Sequence, residues 1–269
     1  MSRRAASRRV AVAALVAAVP LLLWQGMTGL ARGERTQHGN LIVSLDGGLV
    51  PLKLPRDHPA PITLRLDGGL RTADGELLPR VTEVELGLPG EGVLSTRGLP
   101  VCGQRRLRDA TSGQALAACS GALVGRGRIE ADVLLPNQEP FAIHAQLLAF
   151  NGRVGDRPAV LLHAFAATPP TVVVLPFVVH RRSGEFGTAL VATLPPSLGP
   201  WPHFAHFELT LGRRYTFRGR ERSYLSATCP IPPAFTAGFI AFARASYTLV
   251  DGRRVGTEIA RGCRAGREG

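Results

Sequence analysis

The stretch "RIEADVLL", residues 128–135, decides the fold class, because its side chains alternate strictly between charged and apolar types over most of its length. Successive side chains of a β-strand point to opposite faces, so such alternation gives one wet face and one apolar face. The apolar face carries Ile129, Ala131, Val133 and Leu135, and the other face carries Arg128, Glu130 and Asp132. The stretch therefore predicts a strand of an antiparallel sheet that covers a core.

Similar short runs continue along the chain, separated by turn residues every eight to twelve positions or so. "VTEVEL" (81–86) repeats the two-residue period, whereas "AVLLHAFAA" (159–167) and "TVVVLPFVV" (171–179) are apolar on both faces and belong in an interior. Asn151-Gly152 and Ser183-Gly184 are hairpin signals. The pattern predicts an all-β, antiparallel β-sandwich of about eleven or twelve strands, as one large or two closely packed units.

One short helix interrupts this pattern. Asp109 or Thr111 can cap it, "GQALAAC" (113–119) favours helix, and Gly121 can end it. A soft boundary between two β units is expected near residues 136–140.

The N-terminus predicts export. "MSRRAASRR" is cationic, "VAVAALVAAVPLLLW" (10–24) is apolar, and small residues follow as far as Ala31. Residues 1–31 are therefore predicted to be a signal peptide, with a membrane anchor through residues 10–31 as the alternative. A linker (32–39), a β region (40–264) and a tail (265–269) complete the predicted organisation. Either form of the leader places the β region outside the cytoplasm, as a secreted or membrane-anchored protein.

The four cysteines fit an exported protein, because disulfides form in oxidising compartments. Three pairings are possible in principle. The sequence favours Cys102–Cys119 with Cys229–Cys263, because each bond then closes a local loop. No CxxC or CxxH spacing occurs, so no metal site and no cofactor are predicted.

The chain is strongly basic, with a net charge of +12, and Lys53 is its single lysine. "LGRRYTFRGRERSYLSATCP" (211–230) concentrates arginines among aromatic residues. Strand parity puts Arg214 and Arg218 on a wet face, with Arg220 and Arg222 in the following turn. These four arginines are either a solvated hairpin face or a contact for an anionic envelope polymer or a phospholipid surface. Nucleic acid is disfavoured, because Tyr215 and Phe217 point away from this face and the chain is exported.

Motifs of known enzyme classes are absent from the sequence. His206 and Glu208 share a strand face and are the candidate acid–base pair. Two further same-face carboxylate pairs, Glu83 with Glu85 and Glu130 with Asp132, resemble the spacing used in glycoside hydrolysis. The ordinary interpretation of all these groups is an exposed polar face.

Several runs resemble a group of uncharacterised exported proteins of high-GC bacteria. The runs are "GLPVC", "QALAACSGALVGRG", "LLAFNGR", "LTLGRRYTFRGRERSYLSATCP", "FARASYTLVDGR" and a final "RGC". The likeness covers roughly residues 40–264 and includes all four cysteines. It implies a shared disulfide-bearing β fold and supplies no catalytic residues.

Two functions are compatible with these patterns. The first is a disulfide-stabilised β-sandwich that binds a ligand or has a structural role at the cell envelope. The alternative is a secreted hydrolase of envelope glycans or esters, with its acid and base drawn from His206, Glu208 or the carboxylate pairs. Convergence of ionisable groups in a concave pocket would favour the hydrolase. The sequence leaves the oligomeric state open.

Overall fold

A computed structural model of the protein describes residues 33–266. The predicted signal peptide and the last three residues of the predicted tail lie outside the described residues. The all-β class, with antiparallel strands and one short helix, is confirmed. The strands are β1 (Glu34–His38), β2 (Leu41–Val50), β3 (Lys53–Leu54), β4 (Ala60–Pro61), β5 (Thr63–Thr72), β6 (Val81–Leu88), β7 (Gly92–Leu94), β8 (Leu123–Val133), β9 (Phe141–Val154), β10 (Arg157–Ala167), β11 (Pro170–Arg181), β12 (Thr188–Thr193), β13 (Pro202–Leu211), β14 (Arg214–Phe217), β15 (Arg220–Ser223), β16 (Leu225–Ala227), β17 (Ala237–Leu249) and β18 (Arg254–Ala265).

Thirteen of these strands form one continuous sheet in the order β1-β2-β5-β13-β8-β9-β10-β11-β12-β6-β17-β18-β3. Neighbouring strands are antiparallel, except that β3 runs parallel to β18. The remaining strands form a hairpin, β14-β15, and a small sheet, β4-β16-β7. The layers expected of a sandwich thus belong to a single sheet, which curls until its two halves face each other.

The two ends of the curled sheet meet through side chains. Arg261 of β18 is buried, and its Nε donates a 2.6 Å hydrogen bond to the carbonyl of Gly47 in β2, while Nη2 donates to Asp46. The other contacts are Thr36 Oγ1 with Thr257 Oγ1 at 2.7 Å and His38 Nε2 with the carbonyl oxygen of Gly256 at 2.7 Å. Side-chain contacts at this seam hold the curl closed where no backbone ladder is formed.

Replacing the buried arginine at the seam should destabilise the curl. We expect Arg261→Met to lower the free energy of unfolding by about 2 kcal/mol, because charged hydrogen bonds to Gly47 and Asp46 are lost. Arg264→Met, an exposed change on the same strand, is the matched control and should be nearly neutral. Denaturant titration of the two variants measures the difference, and equal midpoints would show that the seam does not depend on Arg261.

The helix α1 (Ser112–Cys119) lies on the outer face of β9 and β10. Thr111 caps it, because Thr111 Oγ1 accepts from the Gln114 amide and the Gln114 side chain accepts from the Thr111 amide, which is a capping box. Thr111, not Asp109, is therefore the N-cap. The helix buries Ala115 and Cys119 against a second, smaller core that includes Leu148, Phe150 and Leu161.

Three boundaries differ from the sequence predictions. β1 lies within the segment assigned to a linker (32–39), and residues 136–140 connect β8 to β9 inside one sheet. Asn151-Gly152 is not a turn, since β9 continues through it and the chain reverses at Gly155-Asp156. Within residues 33–266, no helix has the length and apolar character needed to cross a bilayer.

Candidate functional site

The curled sheet encloses an apolar cavity of about 330 Å³. One arc of the sheet forms its wall, in the order β13-β8-β9-β10-β11-β12-β6, with Leu194 lining it just beyond the end of β12. Each strand contributes alternate residues, because only one face of the sheet looks inwards. The lining residues are Val84, Leu86, Ile129, Ala131, Val133, Leu135, Ile143, Ala145, Leu147, Leu162, Ala164, Ala166, Pro169, Thr171, Val173, Leu175, Phe177, Leu194, Leu198, Trp201, Pro202, Phe204, Phe207 and Leu209.

The exposure of these residues shows where the cavity opens. Along β11, Thr171 is exposed, Val173 and Leu175 are partly buried, and Phe177 is buried. Trp201, 39% exposed, lies at the same end as Thr171, near the proline-containing connections before β9, β11 and β13. We call this end the mouth. At the other end, Phe177, Leu147 and Leu209 are buried, so the cavity is blind.

Small side chains on the wall create the space. Ala131 of β8, Ala145 of β9, and Ala164 and Ala166 of β10 all face inwards on adjacent strands. On the same faces of β8 and β9, each alanine lies between Ile, Leu or Val residues that extend further into the interior, whereas on β10 the two alanines follow one another after Leu162. Because the facing halves of the sheet stay apart, the small side chains leave unfilled volume between them.

Two features keep the wall from collapsing into this volume. Behind β9 and β10 lies α1, which the Cys102–Cys119 disulfide ties to the preceding loop. His163 of β10 is fully buried there, and its Nε2 lies 2.7 Å from the carbonyl oxygen of Ala110, just before the helix. On the opposite side, the ring of Phe204 stacks on Tyr247 of β17, with centroids 5.5 Å apart.

The cavity offers almost no polar group to a ligand. Of the described residues that line it, Thr171 and Trp201 alone carry a side chain with a hydrogen-bonding atom, and both lie at the mouth. None of them carries an ionisable side chain. A polar molecule that entered the cavity would lose its hydrogen bonds to water and gain none in their place, which costs free energy. A hydrocarbon chain makes no hydrogen bonds to water, so its burial carries no such cost. The cavity suits an apolar ligand.

The predicted pair His206 and Glu208 lies elsewhere, on the outer face of β13. Glu208 accepts from Arg128 Nη2 at 2.7 and 2.8 Å, and His206 Nε2 lies 3.1 Å from Asp67. The hydrogen bond from Arg128 holds the pKa of the Glu208 carboxyl below its usual range. Glu208 is thus ionised at neutral pH, with its oxygens occupied by a guanidinium. Neither residue lines the apolar cavity.

The other carboxylate pairs are also on outer faces. Glu83 lies 3.2 Å and Glu85 4.0 Å from Arg254, and Glu130 lies 3.3 Å from the exposed His144. The two contacts with Arg254 are surface ion pairs, which contribute little to stability individually. Among residues 33–266, no three His, Cys, Asp or Glu side chains form a group that could hold a metal ion.

The arginine-rich stretch forms the β14-β15 hairpin, but its charges do not gather on one face. Residues paired across the ladder share a face, so Arg220 lies beside Phe217 and Arg222 beside Tyr215, whereas Arg214 lies on the other face with Glu221. The turn is Arg218-Gly219, both with positive φ, and not residues 219–222. The exposed arginines are therefore spread around the hairpin.

Arg213, which the sequence left unassigned, has a clear structural role. Its Nη1 donates to the carbonyls of Gly121 at 2.7 Å and Leu123 at 2.8 Å, directly after α1. It fastens the hairpin to the loop that leaves the helix.

The disulfides are Cys102–Cys119 and Cys229–Cys263, the two local pairings that the sequence favoured. Both are buried. They indicate an oxidising, extracytoplasmic environment.

The cavity itself was missed by sequence reasoning. A signal for it existed, because the inward faces of β8, β9 and β10 carry alanine at Ala131, Ala145, Ala164 and Ala166. Small residues leave a cavity only if the facing surface does not fill the space, and the sequence does not show where that surface lies. Comparison of the chain with protein-family models, with curated proteins and with solved structures gave no match.

Proposed function

We propose that this protein is an extracytoplasmic binding protein that takes a hydrocarbon chain of a lipid-like ligand into the cavity of its curled sheet. The observation that carries the proposal is the apolar lining, which holds no ionisable group and opens at a mouth beside Trp201. Burial of hydrocarbon in such a lining is favourable by about 0.8 kcal/mol per CH₂ group.

The size of the cavity supports a single chain. Its volume of about 330 Å³ lies at the lower end of ligand pockets, which span about 300–1,000 Å³. The lining of β11 from Thr171 to Phe177 extends about 20 Å at ~3.3 Å per residue. One leaflet of hydrocarbon in a bilayer is about 15 Å thick, which is the reach of one acyl chain. A chain of that length fits between the mouth and the blind end.

The polar part of an amphipathic ligand would remain at the mouth. Thr171 and Trp201 lie there, and Trp combines an apolar ring with one hydrogen-bond donor, as at membrane interfaces. The other lining residues can select a ligand by its shape, but they offer no side-chain hydrogen bonds. The buried part of the ligand would therefore be a hydrocarbon chain, and selection of the head group would fall to the residues of the mouth.

The hydrolase alternative gains no support from the same geometry. Hydrolysis of a glycan or ester requires an acid, a base or a nucleophile placed beside the bound substrate. His206 and Glu208 lie on the outer face and pair with Asp67 and Arg128. The described residues that line the cavity supply no such group.

A fluorescence titration tests the proposal. N-phenyl-1-naphthylamine, an uncharged apolar dye, should bind saturably, one molecule per chain, with a Kd of about 1 µM or tighter. Palmitate should displace it, whereas hexanoate should do so poorly, because a short chain buries less hydrocarbon. Lack of saturable binding by the folded protein, or equal displacement by both acids, would contradict the proposal.

A further inference from the structure

A second apolar surface lies on the outside of the molecule, at the edge formed by β17, β18 and β3. Its apolar side chains are unusually exposed: Val50 at 61%, Leu52 at 53%, Phe235 at 59% and Phe239 at 81%. Single exposed apolar residues are ordinary, but a group of them marks an interaction site. We call these four residues, with Lys53 and Arg264, the Phe239 patch.

The backbone pairing shows that the segments carrying Lys53, Arg264 and Phe239 are neighbours, and Val50 and Leu52 directly precede Lys53 in the chain. Arg264 of β18 pairs with Ala237 of β17 on one side and with Lys53 of β3 on the other. Residues 52–54 and 235–239 thus lie on either side of the end of β18. The amide of Arg264 donates to the carbonyl of Leu52 at 2.9 Å, and the amide of Ala265 donates to that of Thr236 at 3.0 Å.

Phe239 projects because nothing covers it. The residue paired with it is Gly262, which has no side chain, and the next residues on the same face are Ala237 and Ala241 on β17 and Ala260 and Arg264 on β18. The ring of Phe239 is exposed because most of these neighbours have small side chains or none. The inward side chains around it are buried, and the Cys229–Cys263 disulfide holds β18 to the segment that leads to Phe235. The patch is therefore presented on a fixed base.

The positive charge of the segments that form the patch favours an anionic partner. The segments that form the patch, residues 50–56, 232–239 and 260–265, contain Lys53, Arg56, Arg261 and Arg264 and no aspartate or glutamate. Arg261 is used at the seam, and Arg56 donates to the carbonyl of Phe235 at 2.7 Å, so Lys53 and Arg264 are the cations that face outwards. Two copies joined through this patch would bring like charges together, which disfavours self-association.

We infer that the Phe239 patch docks on the surface of an anionic phospholipid bilayer. Its apolar side chains would enter the boundary between head groups and acyl chains, while Lys53 and Arg264 approach the phosphates. Phe and Leu are among the side chains that interfacial segments bury at this depth. This inference replaces the β14-β15 hairpin as the expected phospholipid contact, since the hairpin lacks a comparable apolar group. It is independent of the ligand in the cavity.

Co-sedimentation with vesicles tests the inference, using the protein without residues 1–31. The vesicles contain either phosphatidylcholine alone or equal parts of phosphatidylcholine and phosphatidylglycerol. The wild type should partition onto the anionic vesicles. We expect Phe235→Ser with Phe239→Ser, and separately Lys53→Ser with Arg264→Ser, to lower the partition coefficient at low salt by about tenfold or more.

Two matched controls separate the patch from general properties of the surface. Val93→Ser with Val101→Ser removes two other exposed apolar side chains, and Arg220→Ser with Arg222→Ser removes two other exposed charges. Both should keep wild-type binding. Equal loss in the arginine control would mean that net charge alone drives binding, and would overturn the inference.

Three further outcomes would also overturn it. One is the absence of wild-type binding to the anionic vesicles. Another is a dimer in sedimentation velocity that the phenylalanine pair abolishes, which would assign the patch to a second copy. The third is binding to dextran sulfate that depends on Lys53 and Arg264 while vesicle binding does not, which would assign it to a polymer. A failed dye titration would leave the vesicle result unaffected, so the two proposals fail separately.

Discussion

Filling the cavity from its wall should strongly weaken binding of N-phenyl-1-naphthylamine and at the same time stabilise the protein. The variant Ala145→Leu with Ala164→Leu adds three carbons at each of two inward positions on β9 and β10. Those carbons would occupy the space that the ligand needs, so we expect affinity to fall at least about tenfold. Burying them in existing volume should raise the free energy of unfolding, by up to about 2 kcal/mol.

The same variant is expected to lose affinity for the dye and to gain stability, so a general loss of folding could not produce both results. Ala142 and Ala167 lie on the same two strands but face outwards, so Ala142→Leu with Ala167→Leu adds the same carbons outside the cavity. This control should bind the dye as the wild type does, with no gain in stability. Normal dye binding by the inward variant would place the binding site elsewhere. Marked destabilisation would mean that the wall has no room for larger side chains.

Removing the Cys229–Cys263 disulfide should have the largest effect on stability. The two cysteines are separated by 34 residues, and the loop-entropy account gives about 4 kcal/mol for a loop of that length. Cys102 and Cys119 are separated by 17 residues, for which the same account gives about 3 kcal/mol. We therefore expect both double alanine variants to be destabilised, with the Cys229–Cys263 variant more affected.

Denaturant unfolding of the two double variants beside the wild type measures this order. The positions differ in surroundings as well as in loop length, because Cys229 and Cys263 belong to the main core, whereas Cys102 and Cys119 belong to the smaller core under α1. Loss of packing should therefore add to the entropic effect at Cys229–Cys263. A smaller loss there than at Cys102–Cys119 would show that neither loop length nor burial governs these bonds.

Local patterns predicted much of the secondary structure. The alternation in residues 128–135 is that of β8, and the capping box at Thr111 begins α1. Both follow from neighbouring residues alone, as strand alternation and helix caps do. The disulfide pairing also followed from short separations along the chain.

Long-range packing decided the rest. Asn151-Gly152 has the composition of a turn, but Asn151 donates to the carbonyl of Pro100 at 2.9 Å, and a Cβ at Gly152 would clash with Leu161. Partners distant in sequence keep both residues inside β9. In the same way, apolar residues on both faces of β10 and β11 predicted an interior. The alanines on the inward face of β10 are a local signal of space there, but they do not show how far away the facing surface lies.

The candidate site was harder to predict than the fold for the same reason. His206 and Glu208 were chosen because their types suit catalysis, yet the cross-strand neighbours Asp67 and Arg128 are already paired with them. The cavity depends on how far the sheet curls, which is set by contacts such as those of Arg261 at the seam. Sequence patterns show which face is apolar but not the distance to the opposite face.

If the cavity takes up a hydrocarbon chain as proposed, its blind end would limit the length of chain that the protein can bury. Phe177, Leu147 and Leu209 are buried at this end, and we expect them to form a floor that stops a bound chain. Each added methylene is sheltered until the chain reaches this floor, and any further carbons must stay outside in water. Binding strength would then climb with chain length and level off, so selection among related molecules would depend on how long they are.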